Sequence, residues 1–350
     1  MRIGFDVSPL HRPHPRGVVR VTAGLVAALE NRARLEVVRL APPPGRDGQG
    51  LRAWRAVELP RRARELGLAG IHSPVSAFAC RGAGARVQTI HELPWRHGAA
   101  EGADLRHRAW AAFGPLRAEA VLTATEFVAR DLRRRLLPGA SKVRVVPWGV
   151  DPAFADEPAA DVVDEVVLGR YRLPQGAWAI ALGAVRPKKN LAAFLNGLAE
   201  HARRGAEPVR LVVTGGDTPQ LRRDLGLAGR LGLSRFVTTL DEIADEDLPS
   251  VLRLASVVPV LSRSEGFGLP VLEAMACGTP VLVPRGSAQE EVAGPAGLAV
   301  DPDDPVSVAD GLARALAERE TRRAALAARA REFTWDRCAA QVEAIWSEIA

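Results

Sequence analysis

The sequence has few cysteines, few aromatic residues and almost no lysine. Its three cysteines, Cys80, Cys277 and Cys338, stand far apart. They match neither a disulfide framework nor the spacing of a metal site, and are typical of a reducing cytoplasm. Aromatic residues make up 5% of the chain and include one tyrosine, too few for a base-stacking surface. These absences argue against a disulfide scaffold, a zinc module and a nucleic-acid-binding protein.

Long apolar runs are missing as well. The apolar runs are short and interrupted, and none reaches the roughly 18 residues of a membrane span. The chain enters a strand-like segment at Ile3, so we expect no secretory signal and a cytoplasmic protein. Hydrophobic residues nevertheless fill 47% of the 350 positions, which is enough to bury the cores of two domains.

The net charge of +6 rests on arginine, because only three of the 47 basic residues are lysines. The arginines are scattered through nearly every segment, which does not favour a nucleic-acid-binding face. A denser group comprises Arg52, Arg55, Arg61, Arg62 and Arg64. It predicts at most a weak, peripheral contact with the anionic inner face of a membrane, and a solvated surface is the alternative.

Strand-like runs alternate with helical patterns in both halves of the chain, as in parallel sheets covered by helices on both faces. In the first half, strands are predicted at Ile3–Val7, Leu35–Leu40, Val87–Ile90, Ala120–Ala124 and Val143–Val146, with helices at Val18–Glu30 and Leu105–Ala118. In the second half, strands are predicted at Ala179–Leu182, Val209–Thr214, Phe236–Leu240, Val257–Leu261, Val281–Val283 and Leu298–Val300. Helices are predicted there at Leu191–Arg203, Gln220–Leu231, Glu246–Ala255 and Val306–Glu318, and in the tail at Thr321–Glu332 and Asp336–Ile349.

A segment rich in Pro, Ala and Asp, residues 151–165, predicts a linker between the two series. The pattern therefore indicates two doubly wound α/β domains. Such domains bind ligands at the carboxyl ends of their strands, here in a cleft between the two.

A glycine-containing loop follows the strand Val257–Leu261. It runs from Ser262 to Leu269, and Pro270 then opens a short helix over Val271–Ala276. Free N–H groups and the helix dipole attract phosphate at such a helix start. Turn chemistry alone explains the glycines equally well.

Two glutamates belong to this segment. Glu265 lies in the loop, which we take to be exposed, and Glu273 lies one turn into the helix. Carboxylates accept hydrogen bonds from sugar hydroxyls, so this pair is suited to hold a sugar and a ribose on either side of a phosphate. For Glu273, complementing the helix dipole is the simpler alternative.

A basic loop occupies residues 183–190. Two of the three lysines, Lys188 and Lys189, stand side by side here, and Asn190 is placed to cap the following helix. In a chain that otherwise uses arginine, this choice indicates that a compact ammonium group is needed, as at a phosphate site. An ordinary charged loop is the alternative.

These segments resemble the retaining GT-B enzymes of glycosyltransferase family 4. Glu265-Gly266-Phe267-Gly268-Leu269-Pro270, followed by Glu273 through Val281, is similar to the E-x7-E motif of that family. Residues 186–190 resemble its basic diphosphate-binding motif, and residues 287–298 the segment that closes its donor pocket. Weaker landmarks are residues 89–92, 124–127 and 146–151.

The resemblance implies a GT-B fold of two Rossmann-like domains. Its boundaries are 1–160 for the acceptor side, 166–330 for the nucleotide-sugar donor side, and 331–350 for a helix crossing back to the first domain. It implies that Glu265 contacts the donor sugar, that Glu273 contacts the ribose, and that Lys189 neutralises the diphosphate. The other implied donor-side residues are Gly183, Arg186, Lys188, Gly266, Phe267, Gly268 and Leu269.

On the acceptor side, the resemblance implies that His91 faces the sugar, although a histidine capping a strand end is the alternative. Arg16 and Gly17, with Arg20, are expected to meet an acidic acceptor or the diphosphate. The chain also departs from the family pattern. Ala184 replaces a frequent arginine, Arg186 replaces a glutamate, and Trp148 replaces an asparagine.

The sequence thus predicts a retaining glycosyltransferase that uses a nucleotide-diphosphate sugar as co-substrate, without a metal or another cofactor. The acceptor is a saccharide, a lipid-linked glycan or a small molecule. A nucleotide-sugar epimerase of the same fold and a noncatalytic nucleotide-sugar-binding protein remain as alternatives.

Overall fold

The structure is a computed structural model. It describes residues 1–11, 16–43, 50–77, 79, 82, 84–97, 105–135, 139–155, 161–183, 186–207 and 209–349. The chain divides into two compact units. Unit 1 comprises residues 1–96, 100–149 and 333–350, and unit 2 comprises residues 97–99 and 150–332.

Unit 1 is built on a parallel sheet of six strands in the order β2-β1-β3-β4-β5-β6. The strands are β1 Arg2–Asp6, β2 Glu36–Leu40, β3 Gly70–Ser73, β4 Ala85–Thr89, β5 Ala120–Thr123 and β6 Val143–Val145. The helices are α1 Ser8–His11, α2 Arg16–Arg32, α3 Gly50–Ala53, α4 Leu59–Glu65, α5 Leu105–Arg117 and α6 Glu126–Arg135. A π-helical turn spans Trp54–Glu58, and 3₁₀ turns span Pro94–His97 and Ala140–Lys142. The central strands are buried on both faces, as expected for a parallel sheet between helical layers.

Unit 2 has two parallel three-stranded sheets, β7-β8-β9 and β10-β11-β12. The strands are β7 Trp178–Ala181, β8 Arg210–Thr214, β9 Val237–Leu240, β10 Val258–Pro259, β11 Val281–Pro284 and β12 Leu298–Val300. The helices are α7 Pro152–Ala155, α8 Asp161–Tyr171, α9 Leu191–Arg203, α10 Pro219–Arg230, α11 Leu248–Leu254, α12 Leu269–Ala276, α13 Ala288–Ala293, α14 Pro305–Ala317 and α15 Arg319–Ala330. Three 3₁₀ turns lie at Pro187–Lys189, Ser234–Phe236 and Gly294–Ala296.

A parallel bridge between Ala179 and Val257 joins the two sheets of unit 2. Read across this bridge, the strand order is β9-β8-β7-β10-β11-β12. The winding direction reverses between β7 and β10, so the loops that follow these two strands diverge from a common point. This is the topological switch point at which doubly wound sheets bind ligands.

The last helix, α16 Trp335–Ile349, belongs to unit 1. It packs against α2, where Arg32 forms ion pairs with Asp336 at 2.7 Å and Glu343 at 2.9 Å. Trp346 is fully buried. The start of α16 lies so close to Gly149 that a β-carbon there would stand 2.2 Å from the backbone nitrogen of Trp335. A side chain at position 149 would therefore displace α16.

Most of the predicted strands and helices are present, and the helix Leu191–Arg203 has the predicted bounds. The predicted linker was partly wrong, because α7 and the first residues of α8 lie within it; residues 156–160 lie outside the described part of the chain. Strand β3 was not predicted, and β10 is limited to two residues. Strand β3 contains Gly70, His72 and Ser73, which do not resemble the apolar run of a central strand.

The arginine group expected to face a membrane is largely engaged within unit 1. Arg55 is buried and donates to Asp6 Oδ2 at 3.0 Å and to Ser8 Oγ at 2.9 Å. Arg61 bridges two glutamates, Arg62 lies over the Trp54 ring, and Arg64 donates to a main-chain carbonyl. The side chain of Arg52 lies outside the described residues. Arg61 and Arg64 nevertheless stay exposed, and the weak membrane contact stays a prediction.

His72 is the buried titratable group at the centre of the unit 1 sheet. Its ring lies 4.5 Å from the Phe5 ring, and its Nε2 is 3.2 Å from Thr89 Oγ1. Its Nδ1 has no hydrogen-bond partner. Burial lowers the pKa of His72 from its ordinary value of 6.5 to about 3, because the imidazolium would be desolvated without an acceptor for its second proton.

We expect this histidine to make unit 1 acid-sensitive. The folded state keeps His72 neutral while the unfolded chain takes up a proton below pH 6.5, so the stabilisation is complete above that pH and is lost between pH 6.5 and 3. Moving from pH 7 to pH 5 should cost about 2 kcal/mol through this group. Urea denaturation at the two pH values should show a smaller loss for His72→Gln. The exposed His11→Gln control should behave like wild type, and equal losses for His72→Gln and wild type would contradict the assignment.

Candidate nucleotide-sugar site in unit 2

Two loops meet at the switch point of unit 2. The first follows β7 and contains Lys188 and Lys189 on a 3₁₀ turn; the second follows β10 and contains Glu265. The backbone N–H of Arg263 donates to the carbonyl of Lys188 at 2.9 Å and ties the two loops together. The structure therefore brings together the two motifs that the sequence singled out.

A buried ion pair lies where the loops touch. Lys189 Nζ donates to Glu265 Oε1 at 2.6 Å, and the two side chains are 15% and 16% exposed. The prediction that Glu265 lies in an exposed loop was wrong, because the neighbouring loop covers it. The two opposite charges stabilise one another at this depth, because either charge alone would be desolvated without a partner.

Glu265 stays ionised in this setting. Burial alone would raise its pKa, but the charges of Lys189 and Lys188 and the Lys189 hydrogen bond outweigh burial and bring the pKa to about 2. A carboxylate is therefore present at neutral pH. Lys188, although only 6% exposed, contributes to this field from the same turn.

Asn190 does not cap α9 as predicted. Its backbone is in the left-handed region at φ 56°, and its side chain makes no capping hydrogen bond. Asn190 Nδ2 is buried without a hydrogen-bond partner beside a cavity of about 20 Å³. The cavity is also lined by Lys189 and Ser262 and has room for about one water molecule.

The start of α12 completes this edge of the site. Gly268 precedes the helix at φ 92°, a conformation that favours glycine, and no side chain caps the helix. A β-carbon there would also stand 3.1 Å from Gln289 Cγ. Pro270 has no N–H, and the N–H groups of Val271 and Leu272 donate to the Gly268 carbonyl at 2.9 and 3.3 Å. The Leu269 N–H, which no side chain caps, is therefore the donor that this helix start offers to an anion.

Glu273 is buried, at 3% exposure, in the middle of α12. It is not among the acidic residues of the first turn, of which α12 has none. The simpler explanation of Glu273 was that its charge complements the helix dipole. This stabilisation is confined to the first turn of a helix, so it does not account for the position of Glu273.

Sequence reasoning did not single out Gln289 and Arg263. Gln289 is buried, and its Nε2 donates to the carbonyl of Ser262 at 3.2 Å, so α13 holds the loop that carries Glu265. Ser287, also in the segment expected to close the donor pocket, caps α13 through its hydroxyl. Gln289 lies in the segment 287–298 and Arg263 in the loop 262–269, but no role was predicted for either residue, and only the folded chain shows their contacts.

The remaining predicted residues occupy different places. Gly183 follows β7, and its N–H donates to Thr214 Oγ1 at 3.0 Å; Arg186 is exposed, and Ala184 lies outside the described residues. Gly266 and Phe267 lie between Glu265 and α12, and Leu269 is the first residue of α12. Arg16 and Gly17 are exposed at the start of α2, in unit 1.

His91 also belongs to unit 1, just beyond β4. Its Nε2 donates to the carbonyl of Pro74 at 2.7 Å, and its ring centre is 5.8 Å from that of Trp148. Trp148, one of the departures from the family pattern, is 1% exposed. The two side chains thus pack together, and an asparagine at position 148 would not fill the same space.

The described residues contain neither a metal-binding cluster nor a membrane-spanning helix. Among them, no three His, Cys, Asp or Glu side chains are grouped so that they could hold a metal ion. None of the described helices combines the length and the apolar character that a membrane crossing requires.

Comparison with solved structures shows the fold. Sucrose-phosphate synthase from Thermosynechococcus elongatus superposes with a TM-score of 0.78 at 19% identity, covering 99% of this chain and 98% of that one. Anabaena Alr3699/HepE in complex with UDP-glucose gives a TM-score of 0.74 at 17% identity, covering 99% and 100%. The fold is that of the GT-B glycosyltransferases.

Sequence comparison shows the family. Residues 13–154 match the model described as Glycosyltransferase Family 4, and residues 174–333 match Glycosyl transferases group 1. The D-inositol 3-phosphate glycosyltransferase of Salinispora tropica is 34% identical over 250 residues, which is 66% of this chain and 51% of that protein. The chain thus spans about half the length of this relative. It belongs to the family 4 glycosyltransferases.

The buried ion pair leads to a prediction about stability. Lys189→Met leaves the Glu265 carboxylate buried without its partner and should cost about 3 kcal/mol in the free energy of unfolding. Adding Glu265→Gln removes the stranded charge, so the double variant should be more stable than Lys189→Met alone.

The Arg263–Asp303 pair in the same region is the control. Its side chains are 49% and 67% exposed, and Arg263→Gln should cost less than about 1 kcal/mol. Denaturant titrations of all four variants measure these differences. Additive losses for Lys189→Met and Glu265→Gln would show that the two charges do not stabilise one another.

Proposed function

We propose that this chain is a retaining glycosyltransferase that moves a hexose-type sugar from a nucleotide-diphosphate donor to an acceptor hydroxyl without a metal. One observation carries the proposal. An ammonium group, a permanently ionised carboxylate and a helix start meet at the switch point of unit 2. The UDP-glucose complex of a protein with the same fold supports a nucleotide-sugar donor.

In this proposal, Lys189 and the backbone N–H groups of Gly268 and Leu269 bind the diphosphate. Glu265 contacts the donor sugar, and Glu273 holds the ribose. The activation barrier of the reaction comes from charge separation, because the sugar becomes positive while the nucleoside diphosphate leaves as an anion. Hydrogen-bond donors and cations that are fixed in position at the leaving group lower this barrier, because they need not reorganise during the reaction. The leaving diphosphate can then accept the proton of the attacking hydroxyl on the same face, which retains the configuration.

The ion pair gives Lys189 two competing partners. Glu265 holds the ammonium group in the free protein, and a bound diphosphate would draw it away. Glu265 would then be released toward the sugar, where its negative charge favours the positive transition state. Arg186 and Lys188 are the further cations available to the diphosphate on this loop.

The acceptor side is assigned to unit 1. Arg16 and Gly17 begin α2, and Arg20 follows about one turn later. Cations and helix N–H groups at this helix start suit a phosphorylated acceptor. The relative named for D-inositol 3-phosphate supports an acceptor of this class. His91 is assigned to the sugar; for that role its ring must act through the nitrogen that does not contact Pro74.

Substitutions of the two glutamates should have different effects on nucleotide binding and on kcat. Glu273→Gln removes a contact to the nucleotide. It should therefore weaken the binding of free nucleoside diphosphate and of the sugar donor alike by about 1–3 kcal/mol, and it should leave kcat largely unchanged. Glu265→Gln frees Lys189, so nucleoside diphosphate should bind as tightly as to wild type or more tightly. Its kcat should fall by about 100-fold, because its charge acts in the transition state.

Calorimetry with nucleoside diphosphates, followed by turnover of the donor that a binding panel identifies, measures both effects. Circular dichroism of each variant establishes that it is folded. If Glu265→Gln abolishes nucleotide binding and Glu273→Gln does not, the two roles are reversed; if both variants turn over normally, the site lies elsewhere.

Activity should survive an excess of EDTA, because Lys189 and the start of α12 carry the charge compensation that a divalent cation supplies in other transferases. The measurement compares initial rates before and after chelation. A rate that collapses in EDTA and returns with Mn²⁺ or Mg²⁺ would count against the metal-independent reaction.

A further inference from the structure

Helix α5 of unit 1 has an exposed apolar face. Leu105, Phe113 and Leu116 are 83%, 67% and 49% exposed. At 3.6 residues per turn, these positions fall on one side of the helix together with Ala109, which is also exposed. The opposite side, at Ala111 and Gly114, is buried against the sheet. Three large apolar side chains in one row are more than the single exposed residues normal on a protein surface.

Arginines border this apolar face. Arg108 lies at one edge of it and Arg117 at the other; both are exposed, and the helix contains neither Asp nor Glu. Helix α6, which packs on the same core cluster, adds the exposed Arg130 and Arg134. The face is therefore apolar in the middle and positive at its edges.

Three acidic residues of the described part of the chain near this face are already paired with arginines. Glu119 pairs with Arg86 at 2.8 Å, Asp131 with Arg96 at 3.2 Å, and Glu126 with Arg133. None of the ion pairs found among the described residues involves Arg108 or Arg117. The guanidinium of Arg108 lies over the Trp95 ring, 5.8 Å from its centre. This contact does not neutralise the charge, so the positive edges of α5 can still attract an external anion.

We propose that the exposed face of α5 docks on an anionic lipid surface. An apolar row flanked by long cationic side chains fits the boundary between acyl chains and headgroups, where the apolar residues insert and the guanidinium groups reach the phosphates. A second copy of the chain fits less well, because a two-fold contact would set the same arginine-bordered face against itself. This inference concerns unit 1 and does not depend on the proposed transfer reaction.

Vesicle co-sedimentation of the full chain tests the proposal. Wild type should sediment with vesicles of phosphatidylcholine and phosphatidylglycerol, less at high salt, and remain in the supernatant with phosphatidylcholine alone. The variant Leu105→Ser/Phe113→Ser/Leu116→Ser should bind at least about tenfold more weakly. In Arg108→Gln/Arg117→Gln each lost arginine should cost about fivefold.

Two matched controls come from unit 2. Val166→Ser/Val306→Ser removes residues of similar exposure, 55% and 46%, and Arg223→Gln/Arg230→Gln removes two exposed arginines of α10. Both should bind vesicles like wild type, and circular dichroism should show all variants folded. The proposal would be overturned if the triple serine variant bound vesicles as tightly as wild type. It would also be overturned if wild type did not bind anionic vesicles. Light scattering that shows a wild-type dimer made monomeric by the triple serine variant would overturn it as well, since the face would then join two copies.

Discussion

The pairing of two opposite charges that neither loop could bury alone determines the arrangement of unit 2. Lys189 and Glu265 are 76 positions apart in the chain, yet they share one hydrogen bond at the end of two neighbouring strands. Each charge makes the burial of the other tolerable. The contacts around them, from Arg263 to Lys188 and from Gln289 to Ser262, fix the backbone on which the pair depends. A ligand that takes one partner must therefore release the other, so binding and rearrangement are one event.

Much of this architecture could be predicted from the sequence, because local residue patterns determine the strands and the helix ends. Buried strands such as Val281–Pro284 are continuous apolar runs, and helix starts such as Leu269–Pro270 have glycine before them and proline in the first turn. The E-x7-E spacing places Glu265 before the helix and Glu273 within it. These features depend on neighbouring residues only, so one sequence suffices to find them.

The features that were missed depend on residues far apart in sequence. Nothing around Arg55 indicates that Asp6 will bury it, and a run of arginines looks the same whether its members are solvated or paired. Asn190 has the residue type of a helix cap, but the loop that presents Lys189 bends it into the left-handed region. Gln289 lies in the segment expected to close the donor pocket, but nothing in that segment predicts its contact with Ser262. In each case tertiary contacts overrode the local signal, and those contacts are set by strand order.

The close approach of Gly149 to Trp335 also has a consequence for biosynthesis. Unit 1 is completed by residues 333–350, while residues 150–332 form unit 2 between its two parts. On the ribosome the first sheet therefore emerges without the helix that covers α2 and buries Trp346. Domains usually fold in the order in which they are synthesised, but here the second unit can finish before the first. The flank of the first sheet stays uncovered until the residues of α16 have been synthesised.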